Sequence, residues 1–373
     1  MQFPTKSALI DPKSSSGKRT FWKWLVVTLL VLGTYALTRN YIYVSKGMLR
    51  PDFGLVQQAY DFNFFELPIT LMGLAVLLFI SAPLLKKWRK NLLALSILCI
   101  FLAVDLFALR FYVTSVEPQR LHVRHVRLET AKLTEPLRIV HLTDIQSGKI
   151  TDYERRMFEQ VKQLKPDLIL NTGDLLQVVP PATFEHEFPK LLELIKSANP
   201  KYGTYAVFGD TEKELYGINP DRLLPLQMLS SRSEIIDVGD GKIHLHGLSL
   251  YQSKNQEWAT RSVDDWLRQT EDDTFRILLG HAPDYALAMR EKPIDLCLAG
   301  HTHGGQVRVP WYGPLVIDST VPREWASGFR LIGIPYLNVS AGAGSNRYKG
   351  LPPIRLNCPT EMTLIELMPI GLL

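Results

Sequence analysis

Three long apolar runs fill much of the first 110 residues. Residues 21–38 are apolar apart from Lys23, residues 67–85 carry no charge, and residues 91–109 carry only Asp105. A helix needs roughly 20 such residues to cross a bilayer, so the pattern predicts three transmembrane helices. Neither a small-residue cleavage site nor a twin arginine accompanies the first run, which reads as an uncleaved anchor. From about residue 113 the pattern changes to short apolar stretches alternating with charged ones of helical period. Strands are predicted over 122–133, 137–144, 167–174, 202–210, 234–238, 242–248, 276–280, 295–299, 336–340 and 362–367. Helices are predicted over 153–164 and 184–198. Strands alternating with helices predict an α/β domain with polar residues gathered at the strand C-termini. The expected organisation is a membrane domain over 1–112 and a soluble domain over 113–373.

The net charge of +5 is unevenly placed. Residues 1–120 hold 14 Lys and Arg against 6 Asp and Glu, a surplus of 8, which leaves −3 for the remainder. The soluble part therefore lacks the electrostatic footprint of a nucleic-acid binder. Lys6, Lys13, Lys18, Arg19 and Lys23 precede or open the first run, and Lys86-Lys87-Trp88-Arg89-Lys90 separates the second from the third. The loop between the first two runs has only Arg39, Lys46 and Arg50. Positive loops stay cytoplasmic, so the chain is expected to be a multi-pass protein of the inner or plasma membrane, with its soluble domain outside the cytoplasm. Three cysteines (Cys99, Cys297, Cys358) form no CxxC and no disulfide framework; a Cys297–Cys358 pair stays open.

The predicted strands share a kind of ending. Asp144 closes Leu137–Asp144, Gly173-Asp174 and Gly209-Asp210 close the next two, and His281 follows Ile277-Leu-Leu-Gly280. The apolar run Asp295–Ala299 leads into Gly300-His301-Thr302-His303-Gly304-Gly305-Gln306. One Asp at a strand end is commonly a turn residue, and one His-x-His is commonly a pair of loop histidines. Three carboxylates and three imidazoles at successive strand ends instead make a donor set for divalent metal ions. His244 and His246 lie outside these endings on one face of a predicted strand, and read with His141 as packing or hydrogen-bonding residues.

Residues about 135–367 resemble the calcineurin-like metallophosphoesterases, especially the membrane-associated branch with Gly-His-Thr-His-Gly-Gly-Gln. The closing segment Arg355–Leu367 is also similar to that branch. The resemblance implies a four-layer α/β/β/α sandwich with two metal ions at the strand ends. One ion would be held by Asp144, Gln146 and His303, the other by Asp210, His281 and His301, with Asp174 bridging. Asp174, Asp210 and His301 would be the catalytic residues. A metal-bridging hydroxide would attack phosphorus in line, with the ions neutralising the phosphoryl oxygens. Arg308, just after the last motif, and Arg347, after the glycine-rich turn Ser340–Gly344, are the candidate substrate contacts; Arg323, Arg330, Asn346 and Tyr348 lie in the same segments.

The chain departs from the family pattern at three places. Asp-x-His reads Asp144-Ile145-Gln146, Gly-Asn-His-Asp/Glu reads Gly209-Asp210-Thr211-Glu212, and the second motif ends in Gln177 where many members have Asp. Thr211 cannot replace the histidine that, in the family, contacts the phosphoryl group. Ligand carboxylates number three where the usual pattern has two, which weakens the ions as Lewis acids and keeps the pKa of a bound water higher. Manganese is the expected metal, with magnesium, iron or zinc as alternatives, and the pH optimum is expected to be alkaline. The expected protein is a membrane-anchored phosphoesterase acting on a phosphate ester, with a phospholipid or lipid-linked phosphate suggested by location. The reading from another class is a catalytically silent relative that binds metal, ligand or a membrane partner. Gln146 and Thr211 favour that second reading, and His281, His301 and His303 oppose it. No oligomeric state follows from the sequence.

Overall fold

The computed structural model of the protein describes residues 13–47, 53–347 and 350–371. The described residues divide into two compact units, one over 13–47 and 54–110 and the other over 111–371 together with Phe53. In the first, α1 (Lys13–Gly47) is followed by α2 (Phe53–Asp61), a π turn over Phe62–Glu66, α3 (Leu67–Leu84) and α4 (Arg89–Phe111). Helical stretches Leu25–Tyr43, Gly54–Leu84 and Lys86–Gln119 are long and apolar enough to cross a membrane. The second begins well before the apolar run 67–85, because the π turn continues the helix through a polar stretch. There Asn63 exchanges amide hydrogen bonds with Asn40 at 2.6 and 3.0 Å, which satisfies both side chains without water. Small residues let α3 and α4 approach closely: Ala75, Cys99 and Ala103 are buried with Leu71, and the Ser96 hydroxyl donates to the Ala75 carbonyl at 2.8 Å.

The second unit is built on two sheets. The first six strands to form are β1 (His122–Thr130), β2 (Leu137–Leu142), β3 (Leu168–Asn171), β4 (Thr204–Ala206), β5 (Leu226–Met228) and β6 (Arg232–Val238). After β7 (Gly241–Gly247) come β8 (Phe275–Leu279), β9 (Leu296–Ala299) and the short ribbon β10 (Arg308–Val309) and β11 (Gly313–Pro314). β12 (Gly328–Leu331), β13 (Tyr336–Val339) and β14 (Glu361–Pro369) complete the set. Among the described residues one sheet has the order β1-β14-β2-β3-β4-β5 and the other β12-β13-β9-β8-β7-β6. β2 to β5 run parallel, as do β7, β8, β9 and β13, so the C-terminal ends of the central strands gather on one edge of each sheet.

Strand alternation assigns the layers. Leu137, Ile139, Leu168 and Leu170 of one sheet meet Ile243, Leu245, Ile277 and Leu298 of the other in a core between the sheets. The opposite faces carry Val140, Leu142, Ile169 and Leu364, which pack under α5 (Asp152–Gln163) and α6 (Phe184–Ala198). On the far side Leu278, Cys297 and Val339 pack under α8 (Gln256–Leu267), with Val263 and Trp266. The result is the α/β/β/α sandwich. With both faces covered, the central strands read as continuous apolar runs instead of alternating ones. A capping box at Thr151 and Glu154 starts α5, and Asn199 in the left-handed region ends α6. All three cysteines are buried and free.

His141 illustrates a buried polar residue of the inner layers. It accepts from Asn338 Nδ2 at Nδ1 (2.8 Å) and faces the Thr172 hydroxyl with Nε2 (3.0 Å). Burial pushes its pKa down from 6.5 to about 3, so the neutral ring is the folded form. A depressed histidine contributes stability that is present above the unfolded pKa and lost as pH falls through the folded one. The loss amounts to about 1.4 kcal/mol per pH unit for one proton. His141→Gln keeps both hydrogen bonds and removes the titration. Its melting temperature should therefore fall less steeply than wild type between pH 6.5 and 4; parallel curves would show that His141 does not carry the proton.

Candidate metal centre

The strand-end residues converge where the two sheets present their C-terminal edges. Asp144 and Gln146 follow β2, Asp174 follows β3, Asp210 follows β4, His281 follows β8, and His301 and His303 follow β9. The turns that carry them are tight. Asp144, Gln146, Asp174, His301 and His303 have φ of 49°, 37°, 59°, 66° and 49°, a region that costs non-glycine residues roughly 1–3 kcal/mol each. Glycines supply the close approach: a Cβ at Gly300 would overlap Thr143 and the Asp144 carboxylate, and one at Gly209 would overlap the Asp174 carboxylate and His281.

Two groups of three ligand-type residues result. Asp210, His281 and His301 form one, and Asp144, Asp174 and His303 the other, with ligand atoms of each group within 4.8 Å of one another. In the first group, Asp210 Oδ2 lies 3.1 Å from His301 Nδ1 and 3.4 Å from His281 Nε2, and the two ring nitrogens are 3.2 Å apart. In the second, His303 Nε2 lies 3.5 Å from Asp144 Oδ1. Asp174 links the groups: its Oδ2 is 3.6 Å from His281 Nε2 and accepts from Gln146 Nε2, while its Oδ1 accepts from the Thr211 amide at 3.0 Å.

These residues fit metal ions by the atoms they leave over. Asp144 Oδ2 accepts from the Thr143 hydroxyl and the His301 amide, both at 2.9 Å, but the buried Asp144 Oδ1 and Gln146 Oε1 have no hydrogen-bond partner. Such orphaned acceptors are costly unless a cation meets them. His281 donates from Nδ1 to the Thr172 carbonyl at 2.7 Å, which turns Nε2 toward the carboxylates. Charge tells the same story. Burial, aided by the Asp174 carboxylate and opposed by His281, pushes Asp144 up to about 6. Burial disfavours the His281 imidazolium, yet Asp174 and Asp210 together hold its pKa up at about 10. Burial also opposes ionisation of Asp210, but His281 and His301 outweigh it and hold the carboxyl well below its usual range. Buried Asp144 and Asp174, with half-exposed Asp210 beside them, thus favour positive charge at this place.

Further residues brace the centre, and the sequence patterns did not single them out. Glu212 is buried and accepts from the amides of Gly209, Asp174 and Leu175, stapling the second and third strand ends together. Asp318 Oδ2 lies 3.7 Å from His301 Nε2, on the ring edge away from Asp210. Its loop is pinned by buried Asp284, which accepts from Ser319 Oγ at 2.7 Å and from the Thr320 amide and hydroxyl at 2.8 and 2.6 Å. Lys254 binds both oxygens of Asp210, at 2.8 and 2.9 Å. His244 and His246 bond Thr270, Ser233 and Ser262 and pack on Trp266, apart from the centre.

The arginine candidates differ from one another. Arg308 Nη1 donates to the Gly304 carbonyl at 3.0 Å and the Ser327 hydroxyl at 3.2 Å, so this part of the guanidinium braces the loop after His303. Arg347 passes over Gly148, and its amide donates to Gln177 Oε1. Gln306 accepts from the Asn346 amide at 3.0 Å, so Gln177 and Gln306 hold the same turn. Arg323 lies over the Tyr312 ring, and Tyr348 falls outside the described residues.

Residues 137–305, which hold every ligand candidate, match the family described as calcineurin-like phosphoesterase. The chain carries a calcineurin-like phosphoesterase domain. Enzymes of this family are metal-dependent phosphoester hydrolases. The domain is similar to the metallophosphoesterase YkuE of Bacillus subtilis, at 25% identity over 69% of this chain and 88% of YkuE. It is 28% identical to a metallophosphoesterase of Helicobacter pylori, over 77% of this chain and 73% of the relative. It is also 28% identical to the phosphodiesterase YaeI of Escherichia coli, over 62% of this chain and 83% of YaeI.

Proposed function

We propose that the protein is a membrane-anchored phosphoesterase with a dinuclear metal centre, hydrolysing a phosphodiester at the membrane surface. The observation that supports this reading is the meeting of the two ligand groups, Asp210-His281-His301 and Asp144-Asp174-His303, at one edge of the sandwich. Asp144, Gln146 and His303 would hold one ion and Asp210, His281 and His301 the other, with Asp174 between them. Bound there, two divalent ions neutralise phosphoryl oxygens and lower the pKa of a water between them. The chain's own part is to hold that geometry. Glu212 ties the loops of Asp174 and Asp210 together, the Thr172 carbonyl orients His281, and the Asp318 carboxylate lies near the far edge of His301. The name of the relative YaeI supports a diester as substrate. The three apolar helices favour an amphiphilic one, a phospholipid or lipid-linked phosphate, and the basic residues between the second and third helices favour a domain outside the cytoplasm.

Three ligand carboxylates and the oxygen ligand Gln146 favour manganese or magnesium over zinc. Their charge raises the pKa of a bound water, so the pH optimum should be alkaline. The test is hydrolysis of an aryl phosphodiester by the purified full-length chain in detergent, with manganese, magnesium, zinc or chelator, beside His301→Ala. Turnover that needs manganese or magnesium, rises above neutral pH and disappears in His301→Ala is expected. Inactivity of the folded protein under every metal would replace this reading with that of a silent metal- or ligand-binding relative.

A further inference from the structure

Lys254 is the last residue of α7 (Leu250–Lys254), a single turn started by a capping box in which Ser249 and Gln252 satisfy each other's amides. The turn is not a loose surface segment. The Ser253 side chain is buried, bonds the Leu250 carbonyl at 2.8 Å and accepts from the Ala282 amide at 3.3 Å. Ala282 directly follows His281. The lysine is thus anchored to the strand end that supplies a candidate metal ligand, while its own side chain is 38% exposed at the open side of the centre. Its ammonium binds both oxygens of Asp210, and Asp210 Oδ2 is the same atom that faces His301 and His281. One carboxylate oxygen therefore meets the ammonium on one side and two imidazoles on the other.

We propose that Lys254 is the phosphoryl-binding residue of this site, held on Asp210 until a divalent ion takes over that carboxylate and then turned to the anionic oxygens of the substrate. The inference rests on the dinuclear reading above and adds a residue to it. Physically, an ammonium and a divalent ion sharing one carboxylate repel each other, and the ion, with two imidazoles besides, wins the oxygen. The displaced ammonium is then a half-exposed cation beside the place where phosphate must sit. The side chain is long and flexible enough to swing by a few ångströms, and an ammonium serves phosphate as a point charge. No bond is made or broken by Lys254; it changes partner from a carboxylate to a phosphoryl oxygen.

The test uses the full-length chain in detergent, with calorimetric titration of manganese and, on the manganese-loaded protein, inhibition by inorganic phosphate. Lys254→Met should bind manganese more tightly, because the competing cation is gone, and phosphate more weakly, each by about tenfold or more. Lys254→Arg should keep phosphate inhibition near the wild-type level. Opposite signs for metal and phosphate are what a scaffold role cannot produce. If Lys254→Met weakens both, the lysine merely shapes the centre; if phosphate inhibition is unchanged, it is a surface ion pair; either result overturns the proposal. Wild-type protein that takes up no manganese would overturn the metal-centre reading itself, a failure visible before any variant is made.

Discussion

Asp174→Asn should lower kcat/KM for a phosphodiester by roughly 10³-fold, because several kcal/mol of transition-state stabilisation depend on two ions held together and each 1.4 kcal/mol is a factor of ten. The Asp174 carboxylate reaches both ligand groups, facing His281 on one side and Gln146 on the other. The amide keeps the shape of the carboxyl and one oxygen for the Thr211 amide. It removes the charge, and with it the second ligand oxygen. Metal content should fall from two ions per chain to one or fewer. Folding should not suffer, and this separates a lost ligand from a damaged fold. After burial itself, the Asp174 carboxylate is the group that pushes Glu212 up, to about 7, and it pushes Asp144 in the same direction. Removing one of three crowded acids relieves the other two but takes a carboxylate from the His281 imidazolium, effects of opposite sign, so the melting temperature in chelator should stay close to wild type. Full activity with two ions bound would remove Asp174 from its bridging place.

How much of this centre could be read from the chain depends on how its residues are arranged along it. The strand-end residues that converge on the candidate centre were legible because each is preceded by a run of buried apolar residues, as in Leu168–Asn171 before Asp174, and followed by a turn. The sheets were legible for the same reason, apart from short edge strands such as Leu226–Met228 and Gly328–Leu331, whose outer side carries no apolar signal. Lys254 was missed with its helix, although Ser249-x-x-Gln252 is a capping-box signature and Ala259, Val263 and Trp266 mark the buried face of the next helix. Glu212 was in view as a motif residue, but its role lies in the amides of Gly209, Asp174 and Leu175, two of them from another strand end, which no spacing reports. Asp318 sits in an irregular loop and reaches His301 only because Asp284 pins its neighbours. Arg308 has a bracing role that its place after the last motif does not announce, because a nearby carbonyl and hydroxyl hold its Nη1.

Arg355→Met should destabilise the two-sheet unit by about 3–5 kcal/mol, the scale of a broken buried network. Arg355 has no exposed surface, although the flanking Pro352-Pro353 and Asn357 give its segment the look of a surface loop. Its Nε donates to the Gly344 carbonyl at 2.9 Å and Ser345 Oγ at 3.1 Å, Nη1 to the Cys358 carbonyl at 3.1 Å, and Nη2 to the Ala341 carbonyl at 2.7 Å. Methionine fills the volume but leaves these carbonyls buried without donors, and lysine can serve only some of them. For a unit of this size the loss corresponds to a fall in melting temperature of roughly 10 °C, with Arg355→Lys between the two. The consequence reaches the metal centre through the turn that Arg355 holds. The amides of Ala343 and Gly344 bond the carbonyls of Thr143 and Asp144 at 2.9 and 2.7 Å, and Gly342 packs against the Asp144 side chain. Burial first, and then the nearby Arg355 charge, keep His303 neutral, the form in which an imidazole can bind metal. Arg355→Met should therefore also weaken manganese binding at temperatures where the protein is still folded. A variant that melts early yet binds manganese as tightly as wild type would confine Arg355 to the fold and free the centre from the turn.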